Sequence, residues 1–135
     1  MSSWVTAIIL VVGLALLWWM SRRVGRRLIT DQEREAIISR WQEVEKLMEK
    51  DRAREAIFEA DKLLDFIFQK IHLRGETFAD RLKNAERFLP NYQKVWVAHK
   101  LRNKLAHELD FQLTPQEAQQ AIDIFDQTIR KLSNF

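Results

Sequence analysis

The run WVTAIILVVGLALLWWM fills residues 4–20, and Arg22, Arg23, Arg26 and Arg27 follow almost at once. Wound as a helix, the run rises about 26 Å, the short end of what crosses a hydrocarbon core. Val5, Ile8, Ile9, Leu10, Val11, Val12, Leu14, Leu16 and Leu17 cover every face of that helix, so no side of it calls for a protein partner. Trp4 at one end and Trp18 and Trp19 at the other sit where interfacial aromatic belts sit. By the positive-inside rule the arginines belong on the cytoplasmic side, where they suit anionic lipid headgroups. A cleaved signal would carry its charge before the apolar run, and Met20-Ser21-Arg22 offers no small-residue cleavage site. A buried core helix would not place tryptophans at its ends and charge beyond them. The chain therefore reads as an extracytoplasmic tip (1–3), a single-pass transmembrane anchor (4–20), a basic juxtamembrane linker (21–30) and a cytoplasmic domain (31–135). The expected location is the plasma membrane, with the N-terminus outside.

Beyond the anchor the composition favours helix almost throughout. The whole chain has 3 glycines and 2 prolines, and Ala, Leu, Ile, Glu, Lys, Arg and Gln dominate. There is no cysteine, which excludes a disulfide framework, a thiolate metal site and a cysteine nucleophile. The net charge of +3 comes from 22 basic and 19 acidic residues; without the four membrane-proximal arginines, 18 basic face 19 acidic. Overall charge thus gives no case for nucleic-acid binding, and any such case must be local.

Periodicity and capping residues place five helices after the anchor. The first starts near Thr30-Asp31 and runs to about Glu49, with Ile37, Trp41, Val44 and Met48 at helical spacing. Asp51 has the character of a cap for a second helix through about Leu73, whose apolar face is Ala53, Ile57, Ala60, Leu64, Ile67 and Ile71. Gly75 lies where a C-terminal glycine belongs. Whether these two helices break at Asp51 or continue as one stays open. A shorter helix follows Thr77, with Phe78, Leu82, Ala85 and Leu89 inward, and Pro90-Asn91 ends it. The fourth runs from about Asn91 to His107. The fifth is the best marked: Thr114 as N-cap, Pro115 at the first helical position and Glu117 completing a capping box. With no strand-like alternation, the expected fold is all-α: one transmembrane helix followed by an antiparallel bundle of four to five helices.

Residues 87–107 hold Arg87, Lys94, Lys100, Arg102 and Lys104 with no acid, and His99 and His107 besides. At about 100° per residue, Val95, Ala98, Leu101 and Leu105 share one face of the fourth helix. Trp96, Lys100, Asn103 and His107 gather on the opposite face with Lys104 beside them, a pattern that suits a second protomer, a nucleic acid or another protein. Arg102 falls only about 40° from the centre of the apolar face, where a guanidinium needs a partner. Asp61, inside the inner stripe of the second helix, is the expected one, with Asp65 or Glu59 as substitutes. His99, His107 and Glu108 or Asp110 match no standard metal spacing, and no phosphate-cradling glycine loop or zinc-protease motif is present. No metal and no cofactor is expected.

The segment Leu101-Arg102-Asn103-Lys104-Leu105-Ala106-His107 resembles the Arg-Asn-x-x-x-His signature of the HEPN superfamily, small helical bundles associated with RNA cleavage and toxin systems. The resemblance is best over residues 88–132, late on a helix and before a final well-capped one. It implies a HEPN-like bundle and a metal-independent endoribonuclease acting as a dimer with the two motifs facing each other. By that resemblance His107 is the general acid or base, Arg102 steadies the phosphorus centre and Asn103 orients one of the two. Imidazole and guanidinium chemistry suit those roles. Some toxin members carry a tyrosine two residues after the histidine, where Leu109 stands here. On a straight helix Arg102 and His107 lie about 140° apart, so a second protomer, a bent arginine or an early helix end must bring them together.

Three functional readings follow. One is a membrane-tethered HEPN-like domain that binds or cleaves RNA. Another is a non-catalytic interaction module, homodimeric or binding another protein through the Trp96/Asn103/His107 face. The last is a lipid-surface adaptor in which the four arginines matter most.

Overall fold

The computed structural model describes residues 2–23 and 29–135, with side chains described from Ser2 to Met20 and from Ile29 onward. Among these residues there are six α-helices, one 3-10 turn and no strand. The helices are α1 (Ser3–Arg23), α2 (Asp31–Glu49), α3 (Ala53–Lys70), α4 (Phe78–Ala85), α5 (Tyr92–His107) and α6 (Pro115–Ser133), with the 3-10 turn over Glu86–Phe88 between α4 and α5.

α1 is apolar on all sides, and its window Ser3–Met20 has mean hydropathy 2.1 with none of it buried. It is the one helix among the described residues long and apolar enough to cross a membrane. The helix continues to Arg23, three residues into the segment expected to be linker. The side chains of Arg22 and Arg23, and all of Arg26 and Arg27, lie outside the described residues.

Helices α2 to α6 form the bundle, and α3 is its hub, packing most extensively on α6 and α2 and also on α4 and α5. Its amphipathic register explains this role: Ile57, Leu63, Leu64, Ile67 and Phe68 are all fully buried. They meet Ile37 and Val44 of α2, Leu82 of α4, Val95 of α5, and Phe125 and Ile129 of α6 in one core. Burying a side chain the size of Phe125 is worth about 1.5–3 kcal/mol relative to leaving it exposed.

Three helices start on full capping boxes: Thr30 with Glu33, Thr77 with Asp80, and Thr114 with Glu117. In each the hydroxyl accepts from the N3 amide while the N3 carboxylate accepts from the cap amide. Those bonds, with Thr77 and Thr114 as the leading partners, hold the Asp80 and Glu117 carboxyls below their ordinary pKa.

Two junctions differ from the sequence reading. Asp51 does not cap α3; it sits at φ +58°, the left-handed residue between α2 and α3, and Arg52 takes the N-cap position. The short carboxylate side chain tolerates that conformation, so the two helices do break there. Likewise α3 ends at Lys70, with His72 at φ +60° as the left-handed residue, well before Gly75. Gly75 is needed for a close approach instead: at φ +142°, a Cβ there would lie 2.6 Å from Asp80 Cβ and 2.8 Å from the Arg81 amide nitrogen. Arg81 then closes this corner, giving two hydrogen bonds to Asp65 at 2.8 and 3.0 Å and one to the Gly75 carbonyl at 2.6 Å. The Asp65 carboxylate holds the Arg81 guanidinium above its ordinary pKa.

Candidate functional site

The basic half of α5 is where the polar groups of the bundle converge. This helix packs on α3, α4 and α6, so its buried arc is wider than its own apolar stripe. Val95, Ala98, His99 and Leu105 are buried, whereas Val97 is 63% exposed. Buried residues thus centre about 40° round from the apolar stripe, which carries His99 inward and puts Arg102 near the middle.

His99, which the sequence reading weighs only as a metal ligand, is the residue it leaves without a role in the site. Its ring lies 4.3 Å from the Phe78 ring, stacked at 26°, and meets the Trp96 ring edge-on at 6.1 Å. Its Nδ1 is 2.8 Å from Asp61 Oδ1, and both side chains are buried. The signal that could have found it is the spacing His99-x-x-x-Asn103, one helical turn upstream of the motif, opposite an aspartate buried in an apolar stripe.

Asp61 also faces Arg102, whose Nε stands 3.6 Å from Oδ2. That is ion-pair distance but long for a hydrogen bond, and the buried Nε has no hydrogen-bond partner among the described residues. Arg102 is nonetheless held on three sides: by Asp61, by the Phe58 ring 5.2 Å below its guanidinium carbon, and by Asn103 Oδ1, which accepts from Nη1 at 3.2 Å. Its side chain remains 28% exposed, so part of the guanidinium edge is open to solvent. Asp65 and Glu59, the substitute partners, are engaged elsewhere, with Arg81 and Lys62.

Asn103 is half-buried, with Nδ2 3.4 Å from His99 Nε2. Trp96 is also half-buried, edge-on to Tyr92 at 6.2 Å, and so does not stand out as an exposed aromatic. The shift of the buried arc accounts for both. Lys100, Lys104 and His107 are exposed. His107, the last residue of α5, makes no hydrogen bond or ion pair with the described residues. Lys104 lies over the Phe111 ring at 5.7 Å. From α3, Arg54 Nη2 donates to the Leu105 carbonyl, one of the orphan acceptors of the last turn, and so pins the end of α5 from outside.

The structure therefore brings Arg102 and Asn103 together on a buried Asp61–His99 pair and leaves His107 one turn away at the surface. What this arrangement can do chemically is hold one guanidinium edge and one amide in fixed positions, with Lys100, Lys104 and the His107 imidazole exposed about 140–160° round the helix from Arg102. Among the described residues no group of three or more histidine and carboxylate side chains is placed to hold a metal ion. Between α5 and α6 a groove of about 360 Å³ is lined by Val97, Leu101, Phe111 and Ile124 together with Lys100, Lys104 and Glu117. Comparison with family models, curated proteins and solved structures yields no match to this chain.

Proposed function

We propose that this chain is a membrane-tethered, HEPN-like antiparallel bundle that engages RNA through the C-terminal half of α5 and cleaves it as a homodimer. The observation that carries the reading is the fixed pose of Arg102 and Asn103 on buried partners, with Lys100, Lys104 and His107 exposed round the helix beyond Asn103. A phosphate approaching the open edge of Arg102 meets a donor already oriented, and Lys100 and Lys104, round the helix beyond Asn103, offer exposed cations to a neighbouring stretch of the same strand. In the reaction, one imidazole takes the proton of a ribose 2′-hydroxyl, O2′ bonds to phosphorus, the P–O5′ bond breaks, and the 5′-oxygen takes its proton from the other protomer's imidazolium or from water. The cleaved strand then ends in a 2′,3′-cyclic phosphate. Within one protomer Arg102 and His107 diverge around the helix, so His107 of a second copy completes the site. In this reading α1 spans the plasma membrane, Arg22, Arg23, Arg26 and Arg27 meet lipid headgroups, and the bundle faces the cytoplasm.

The test uses the full chain in detergent or nanodiscs with end-labelled single-stranded RNA. Cleavage to cyclic-phosphate ends is expected, with His107→Ala reducing the rate by at least about a hundredfold while helicity is kept. RNA binding that weakens with salt and with Lys100→Ala, without any cleavage, would reduce the reading to a binding module. Absence of binding would end it. A non-catalytic interaction module is the second reading, favoured by Val97, 63% exposed in the lining of the α5–α6 groove. It predicts that Val97→Ser abolishes self-association or partner capture and that His107→Ala changes nothing.

A further inference from the structure

The four polar side chains under the motif admit only one consistent pattern of donors and acceptors. The Asp61 carboxylate can only accept, so His99 Nδ1, 2.8 Å away, carries the hydrogen. Arg102 can only donate, so the Asn103 atom 3.2 Å from its Nη1 is the amide oxygen. The Asn103 amide nitrogen then faces His99 Nε2 at 3.4 Å, and that ring nitrogen must present its lone pair. The result is a directed chain: Arg102 donates to Asn103, Asn103 to His99, and His99 to Asp61. Reversing any one member sets two donors or two acceptors against each other.

We propose that His99 is the positioning residue of the site: its neutral, Nδ1-protonated ring selects the Asn103 amide orientation that holds Arg102. This deepens the RNA-directed reading of the site and rests on it for its biological meaning, but the geometry it predicts is a property of the free protein. His99 is well placed for the task. Phe78 fixes the ring plane by stacking and Trp96 closes its edge, and a half-turn within that plane would put a ring carbon where Nδ1 now meets Asp61. The charged groups that face it are Asp61 from α3 and Arg102 from its own helix; α4 meets it through the Phe78 ring. A second proton on the ring would turn Nε2 into a donor, reverse Asn103, and set the amide N–H groups against the guanidinium. Arg102 would then lose its amide anchor and keep only Asp61 and the Phe58 face.

The test is nitrogen-15 NMR on the full chain in detergent micelles near pH 7. Long-range imidazole correlations should show His99 neutral with its hydrogen on Nδ1, and Arg102 Nε–H should exchange slowly with water. His99→Leu should speed that exchange by about tenfold or more, whereas His99→Gln, whose amide can donate to Asp61 and accept from Asn103, should keep it near wild type. Asn103→Ala, at a half-buried position, should free Arg102 in the same way and keeps the test decisive if His99→Leu does not fold. A hydrogen on Nε2, a doubly protonated ring, or unchanged Arg102 exchange in both folded variants would overturn the proposal. RNA binding is then read on the same variants. If the wild-type chain binds no RNA while the tautomer and exchange results hold, the RNA reading fails and the positioning role stands. If RNA binds but affinity is indifferent to His99→Leu, the positioning role fails alone.

Discussion

At Asp61 one buried carboxylate answers two cations or potential cations at once, His99 through a 2.8 Å contact and Arg102 through a 3.6 Å one. Removing it leaves a stacked imidazole and a half-buried guanidinium without their shared acceptor, and breaking such a buried pair costs more than forming it gains. Asp61→Ala is therefore expected to lower unfolding stability by about 3 kcal/mol, read as a fall in the denaturant midpoint at unchanged slope. Asp65 is the more exposed carboxylate, and its removal leaves Arg81 the Gly75 carbonyl, so Asp65→Ala should cost less. The Asp61–Arg102 approach was legible because an aspartate in an apolar stripe and an arginine near an apolar face each need an opposite charge. The share taken by His99 was legible only through its one-turn spacing to Asn103, and its burial was not. A helical wheel drawn from the residues of α5 alone cannot know that Phe78 arrives from α4 and turns the flank of the helix into interior.

The three boxed helix N-termini show how much of an element a few residues decide. Thr114-Pro115-x-Glu117 sets the start of α6, and the structure begins the helix at Pro115. Thr114→Ala should cost about 1 kcal/mol, measured by denaturation, and should release the Glu117 carboxyl only part of the way toward its ordinary pKa, because the backbone amide at 114 still donates to it. The sign follows from the direction of that shift. Because the folded pKa lies below the unfolded one, the box contributes fully above the ordinary carboxylate range and is lost as pH falls through the folded value. Amide exchange in the first turn of α6 should accordingly rise in acid for the wild type and depend less on pH in Thr114→Ala. The C-terminal boundaries of α2 and α3 were harder to read. Asp51 and His72 supply the left-handed residues, and neither side chain announces it as a glycine would. What Gly75 does depends on Asp80 and Arg81 pressing against it, which only the folded corner reveals.

For the whole molecule the division of labour is between an apolar rod and a packed bundle. The rod's even distribution of Leu, Ile and Val was plain in the sequence, as was the helical content of the rest; the hub position of α3 emerges only from packing. If α1 is a membrane span, Leu10→Arg at its middle should raise the apparent free energy of insertion by about 3 kcal/mol. The variant should then shift from the membrane to the soluble fraction under alkaline extraction. Equal partitioning of variant and wild type would show that α1 does not cross the bilayer. Arg34 Nε on α2 donates to the Ser133 carbonyl at 2.8 Å, joining the opening turn of the bundle to its closing one. Residues 24–28 allow at most about 22 Å between Arg23 and Ile29. In a bilayer-anchored chain the last turn of α6 is thus leashed to the lipid surface, and any large molecule approaching it must contend with a wall of headgroups.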